Sequence, residues 1–333
     1  MKIALDVMGS DNAPEVEILG MKQVLQEFDD LNICLYGKKD IINHGIEEFK
    51  ERLEIVDAQE TIGMHEQPSV ALKTKANSSI ALAIKSLKEK QNDAVVSAGN
   101  TGAVMAFAIS LLGCIAGVDR PALAAPFPTP KGNTLMVDIG ANVNVKPINL
   151  YQFAVMGSIA ASYIFKKANP TVGLLNVGKE QIKGPEVNQT AYKLLSESEL
   201  NFIGNIEGQD ILKGVCDVIV CDGYVGNIVL KFGEGIAEVI HELLRDYLAS
   251  ESKYRVRRWF SKPVFSEFLN RLSYEEYGGA LLLGVKGTVI IAHGRSTVKA
   301  MKNAIRTAVY AARSKITEHI EEKFHHSVNR DTK

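Results

Sequence analysis

The sequence predicts an α/β protein with three layers, in which helices cover both faces of a largely parallel sheet. Three observations lead there. Short apolar runs alternate with longer stretches of helical spacing. The apolar runs end repeatedly in Gly with Asp, Asn or Ser, the residues that make tight strand-to-helix loops. A chain of 333 residues, 46% hydrophobic and 23% charged, has core enough for one large domain.

Taken in order, Lys2–Met8 reads as a strand that ends in the turn Gly9-Ser10-Asp11-Asn12-Ala13-Pro14. Val16, Leu19, Val24, Leu25 and Phe28 give Glu15–Phe28 a helical spacing. Asn32–Tyr36 is a strand, Ile41–Phe49 a helix and Leu53–Asp57 a strand. The polar segment Gln59–Lys75 leads to an amphipathic helix over Ser78–Lys90. The apolar run Ala94–Val96 is a buried strand, and Ala103–Leu112, closed by Gly113, a buried helix. Pro121–Pro130 reads as an irregular crossing, because proline cannot donate to a ladder. Thr134–Asp138 is a strand, Leu150–Lys167 a helix, Val172–Asn176 a strand and Pro185–Glu197 a helix opened by proline. Phe202–Glu207 and Val218–Cys221 are strands before a long helix over Ile228–Leu248. Ala280–Leu283 and Val289–Ala292 are strands, and Ser296–Lys323 is the closing helix.

Composition excludes several classes. Lys plus Arg number 38 and Asp plus Glu 39, a formal net charge of -1, so no basic field points to nucleic acid. Cys34, Cys114, Cys216 and Cys221 form no CxxC pair and read as free thiols of a reducing compartment. The N-terminus, MKIALDVMGSD, lacks the apolar core of a secretion signal, and no run approaches the roughly 20 apolar residues that span a bilayer. The spacing GLLNVGK at Gly173–Lys179 imitates a P-loop. Glu180 stands where the magnesium-binding hydroxyl is needed, and the first Gly precedes the strand rather than following it. No GxGxxG follows the first strand, and no histidine pair has zinc-ligand spacing.

The chemistry is expected at the strand ends. Val7–Asp11, Ser97–Gly102, Asp138–Asn142, Gly178–Gly184, Asp222–Asn227 and His293–Gly294 share one design, an apolar run that breaks into Gly and small polar residues. Ligands of open parallel sheets sit beyond such carboxyl ends, and these loops are expected to line one cleft, with Asp11, Asn142 and Asp222 on its wall. Asp93–Gly113 is the most suggestive stretch. A strand, a Gly-rich loop and a helix start present free N–H groups at the positive end of a helix dipole, a seat for an oxyanion. An ordinary strand-to-helix turn has the same sequence. Lys183, between Gly178 and Gly184, is the cation best placed to join an anion site. Tyr254–Leu272 differs in character, with Trp259 and Phe260 beside Arg257 and Arg258. It suits a membrane surface, an acidic protein partner or a dimer interface.

The motifs MGSDNAP, SAGNTGA, RPALAAPFP, VDIGANV, LLNVGKEQIKG, IEGQDILKG, VIVCDGYVGNIVLKFGEG, YGGALLLGVKG and AHG follow in this order from residue 8 to 294. Together they resemble the phosphate acyltransferase family of bacterial phospholipid synthesis, the PlsX family. Ser10 departs from the family pattern, which has a second Gly there. The resemblance implies a fold similar to isocitrate and isopropylmalate dehydrogenases and to phosphotransacetylase. It implies one two-lobed enzyme domain over 1–333 with interleaved lobes, and a basic-aromatic helical extension at 250–275. The implied reaction moves a long-chain acyl group from acyl carrier protein to inorganic phosphate, with no organic cofactor; the scattered histidines give no expected metal site. The implied setting is a cytoplasmic homodimer, peripherally associated with the membrane surface, whose acyl phosphate goes to the membrane-bound glycerol-3-phosphate acyltransferase. On this reading Ser97, Gly99, Asn100, Thr101 and Gly102 hold phosphate, Lys183 neutralises charge, Asn227 is a second donor and His293 carries a proton. A dehydrogenase of the related fold and a non-catalytic membrane scaffold are the alternatives.

Overall fold

The computed structural model describes residues 1–42, 46–250 and 278–330. Its first half contains β1 (Lys2–Asp6), α1 (Glu15–Leu25), β2 (Asn32–Gly37), α2 (Lys39–Ile42), β3 (Leu53–Asp57), α3 (Pro68–Thr74), α4 (Ser79–Lys88), β4 (Ala94–Ser97) and α5 (Thr101–Leu112). The middle adds β5 (Ala122–Thr129), β6 (Gly132–Val137), α6 (Pro147–Ile164), β7 (Thr171–Leu175), α7 (Glu186–Ser196), β8 (Asn201–Ile206), α8 (Gly208–Ile211), β9 (Val218–Val220) and α9 (Gly223–Ser250). The chain then gives β10 (Ala280–Leu283), β11 (Thr288–Ile291), α10 (Val298–Arg313) and α11 (Ile316–Arg330).

The strands form one 11-stranded sheet in the order β3-β2-β1-β4-β11-β10-β5-β6-β9-β7-β8. Side chains alternate across it. Ile3, Leu5, Val96 and Ile290 pack into one core with α1, α6, α7, α10 and α11, whereas Ala4, Val95, Val289 and Ile291 pack into the other with α3, α4, α5 and α9. Helices therefore cover both faces, as the alternating pattern predicts. No described helix is long and apolar enough to cross a membrane.

Direction matters more for function than order. β3, β2, β1, β4 and β11 pair in parallel, and so do β6, β9, β7 and β8. Between the blocks, β10 is antiparallel to β11 and to β5, and β5 is antiparallel to β6. The two parallel blocks thus run in opposite senses, and their carboxyl ends fall on opposite edges of the sheet.

Five elements depart from expectation. In place of one helix over Ile41–Phe49, α2 ends at Ile42 and a 3-10 helix spans Glu47–Arg52, with 43–45 outside the described residues. Ala122–Thr129 is a strand rather than an irregular crossing, with Pro126 opposite Leu135 and Pro128 opposite Asn133. Its pairing with β10 stops at Ala124. Both prolines share parity, so their missing N–H groups fall on the side where β10 has ended, and no ladder bond is lost. α9 begins at Gly223, because the Asp222 carboxylate accepts the Val225 N–H at 2.9 Å and caps it. α3 forms inside the segment read as polar loop, with Pro68 in its first turn. The closing helix is two helices, broken at Lys315, whose φ is 50°.

Candidate active site

The ends of β1, β4 and β11 meet at one rim. Asp11, itself exposed, donates its N–H to Gly294 O at 2.8 Å, and Ala292 N–H bonds Ser97 O at 2.9 Å. Gly9 lies directly on the next loop, where a Cβ would stand 2.5 Å from Gly99 N. Only glycine lets the two backbones approach this closely.

Within the loop before α5, most polar groups serve the fold. Ser97 is fully buried; its Oγ donates to Asp6 Oδ2 at 2.6 Å and accepts Gly99 N–H at 3.0 Å. Asn100 Oδ1 accepts Ala103 N–H at 3.1 Å and caps α5. Its Nδ2 reaches the carbonyls of Gly63, Met64 and Glu66 at 3.3, 3.0 and 2.9 Å, pinning the segment before α3. The Ser97 hydroxyl, the Gly99 N–H and the Asn100 side-chain amide, expected at phosphate, are engaged within the fold in this structure. Thr101 is exposed and Gly102 half-buried, and they carry the first N–H groups of a helix from Thr101 to Leu112. Those groups have no preceding turn to satisfy them and point along the positive end of the dipole.

His293 sits on the same rim, exposed, with Nδ1 accepting Arg295 N–H at 3.1 Å. A neutral ring so held carries its proton on Nε2, which can then donate. Glu234 of α9 lies within electrostatic reach of His293. Burial pushes its carboxyl upward, and His293 and Lys231 oppose that shift.

The other candidates gather at the opposite rim. Lys183 is exposed in the loop after β7, held through Asn176 Nδ2, which donates to Lys183 O at 3.0 Å. Lys179 pairs with Asp210 at 3.4 Å. Asp138, fully buried, accepts N–H groups from Leu123, Gly140, Ala141 and Asn142 as well as the Asn142 side chain. Asn142 is 7% exposed and also donates to Pro121 O. The Asn142 side chain and the Asp222 carboxylate, expected on the cleft wall, brace their own loops. Asn227 stands inside the start of α9, opposite Gly140, and does not end a strand loop.

Within one copy of the chain, the loops expected to line one cleft follow two parallel blocks that run in opposite senses. Asp11, Ser97–Gly102 and His293 occupy one edge of the sheet, and Asn142, Lys183, Asp222 and Asn227 the other. α9 connects them, starting at Gly223 and reaching His293 with Glu234. Arg257, Arg258, Trp259 and Phe260, proposed for docking, lie outside the described residues.

Two buried carboxyls at the first rim escaped sequence reasoning. Asp6 and Glu17 are both 0% exposed. Asp6 had a signal, an acid inside the apolar run KIALDV; Glu17 had none, since an acid in a first helical turn is ordinary. The thiols offer no nucleophile there. Cys34, Cys216 and Cys221 are buried, and burial pushes the Cys216 thiol up to about 12.

The arrangement has known counterparts. A phosphotransacetylase from Streptococcus pyogenes superposes with a TM-score of 0.62 at 15% identity, over 94% of each chain. A 4-hydroxythreonine-4-phosphate dehydrogenase from Salmonella typhimurium, described as putative, gives 0.51 at 12% identity, over 93% of this chain and 98% of that one. The fold is therefore an α/β fold shared with these two structures. More specifically, residues 1–319 match the family described as "Fatty acid synthesis protein", and the chain belongs to it. Among curated relatives, the phosphate acyltransferase of Thermodesulfovibrio yellowstonii is 44% identical over 99% of this chain and 96% of its own length. That of Heliobacterium modesticaldum is 47% identical over 92% and 93%.

Proposed function

We propose that the protein transfers a long-chain acyl group from acyl carrier protein to inorganic phosphate. The observation that carries this reading is the near full-length identity to phosphate acyltransferases, combined with an accessible helix N-terminus where the SAGNTGA motif predicts an anion seat. Phosphate sits at the N–H groups of Thr101 and Gly102, with the Thr101 hydroxyl beside them. One phosphate oxygen attacks the thioester carbonyl carbon, the C–S bond breaks, and the proton of hydrogen phosphate ends on the departing thiolate. Positioning and oxyanion stabilisation supply most of the rate. The Nε2–H of His293 suits the developing oxyanion and then the proton transfer. Lys183 and Asn227, on the far edge, suit recognition of the acidic carrier protein rather than contact with phosphate.

The acyl phosphate and the free carrier are the products. Peripheral membrane association, a homodimer in the cytoplasm and hand-over to the membrane-bound glycerol-3-phosphate acyltransferase complete the reading. Purified protein is expected to release free carrier from acyl carrier protein only when phosphate is supplied. Release without phosphate, or none with it, sinks the proposal.

A further inference from the structure

The turn that follows β1 rests on a carboxyl group that the reaction does not use. Glu17 is in the first turn of α1 yet is 0% exposed. Its Oε1 accepts the Ser10 N–H at 3.2 Å. Its other oxygen, Oε2, is buried without a hydrogen-bond partner, and so is the Oγ of Ser10. The Ser10 side chain lies close enough to the carboxyl to oppose the upward push of burial on it.

The same turn touches the anion seat twice. Gly9 packs on Gly99 N, and Asp11 is bonded to Gly294. Beneath it, Asp6 accepts from Met8 N–H at 3.1 Å and from Ser97 Oγ. A second acid thus lies behind the seat, and the two carboxyls repel when both are charged. Other charged groups on elements packed against this corner are Asp11 in the turn, His293 and Arg295 after β11, and Lys299 and Lys302 on α10. Lys302 is paired with Glu27 at 2.5 Å, and Lys299 and His293 have partners of their own.

We propose that Glu17 is a positioning residue that holds the Gly9–Ala13 turn against the phosphate seat when neutral and weakens phosphate binding when it ionises. Protonated, Glu17 places no charge in the buried corner, and Oε1 keeps the Ser10 N–H. Ionised, it adds a buried negative charge close behind a site that must hold an anion, and it opposes Asp6. Burial pushes its carboxyl up to about 7, so the switch falls at physiological pH.

The inference rests on the phosphate-transfer reading, and its test separates the two. The KM for phosphate is measured from pH 6 to 8.5 for the wild type and for Glu17→Gln, a neutral isostere. Phosphate's own ionisation affects both alike and cancels in their ratio. The wild-type KM is expected to rise about three- to tenfold relative to the variant across this range, with kcat unaffected. If the wild type shows no phosphate-dependent release, the functional reading falls; if it does and the two profiles coincide, this inference falls.

A second measurement needs no activity. The melting temperature of the wild type is expected to drop relative to Glu17→Gln as pH rises through 7. Parallel curves overturn the proposal. Should Glu17→Gln not fold, Ser10→Ala serves in its place. Removing the hydroxyl that stabilises the carboxylate moves the wild-type inflection to higher pH, and an unmoved inflection is again contrary.

Discussion

The Oγ of Ser97 donates a 2.6 Å hydrogen bond to Asp6 Oδ2, with both side chains fully buried, and this bond joins the ends of β1 and β4 behind the α5 N-terminus. Ser97→Ala leaves a buried carboxyl short of a donor and frees the Gly99 N–H. A loss of about 1–3 kcal/mol is expected, read by chemical denaturation. Phosphate-dependent turnover should fall with it. Unchanged stability would mean that the bond contributes nothing.

Gly9 has no room for a side chain, because a Cβ there stands 2.5 Å from Gly99 N and 2.9 Å from Gly99 Cα. The clash is with backbone, so Gly9→Ala must displace one loop. Stability should fall by about 1–3 kcal/mol, and the KM for phosphate should rise at least severalfold. A variant with wild-type KM would detach this rim from phosphate binding.

The two edges of the sheet can be told apart kinetically. His293→Ala is expected to lower kcat by about 10²-fold, as for loss of a proton-transfer group. Lys183→Ala should instead raise the KM for acyl carrier protein and flatten its salt dependence, leaving the KM for phosphate within about twofold of wild type. A large loss of phosphate affinity in Lys183→Ala would contradict the assignment of phosphate to the α5 N-terminus.

The thiols should be chemically quiet. Cys34, Cys216 and Cys221 are buried, and Cys114 is half-buried. Burial raises all four, Cys216 to about 12, so the reactive thiolate is scarce at neutral pH. Alkylation followed by mass spectrometry should label Cys114 first, with activity retained. Rapid modification of Cys221 accompanied by inactivation would contradict this placement.

Much of the architecture was legible because apolar runs and glycines mark where strands stop. Leu53–Asp57 and Ala280–Leu283 are strands with the bounds the pattern predicts. What escaped depends on partners that sequence does not reveal. Pro126 and Pro128 argued against a strand, because only the tertiary fold shows that the neighbouring strand ends at Ala124. Gly223 and Gly226 read as loop, yet the Asp222 cap draws them into α9. At the site, Ser97 and Asn100 have the right chemistry for phosphate, but that chemistry is spent on Asp6 and on the carbonyls of residues 63 to 66. The reversal between the two parallel blocks leaves no mark in local pattern, so loops of one design seemed to share one cleft.

The prolines of β5 have a further consequence. Past Ala124 that strand has no neighbour on its β10 side among the described residues. An uncovered strand edge ordinarily recruits a strand from another molecule and seeds aggregation. Here every second N–H that could template such an addition, at Pro126 and Pro128, does not exist. Among the described residues, the edge past Ala124 therefore offers a foreign strand no N–H to pair with at Pro126 or Pro128.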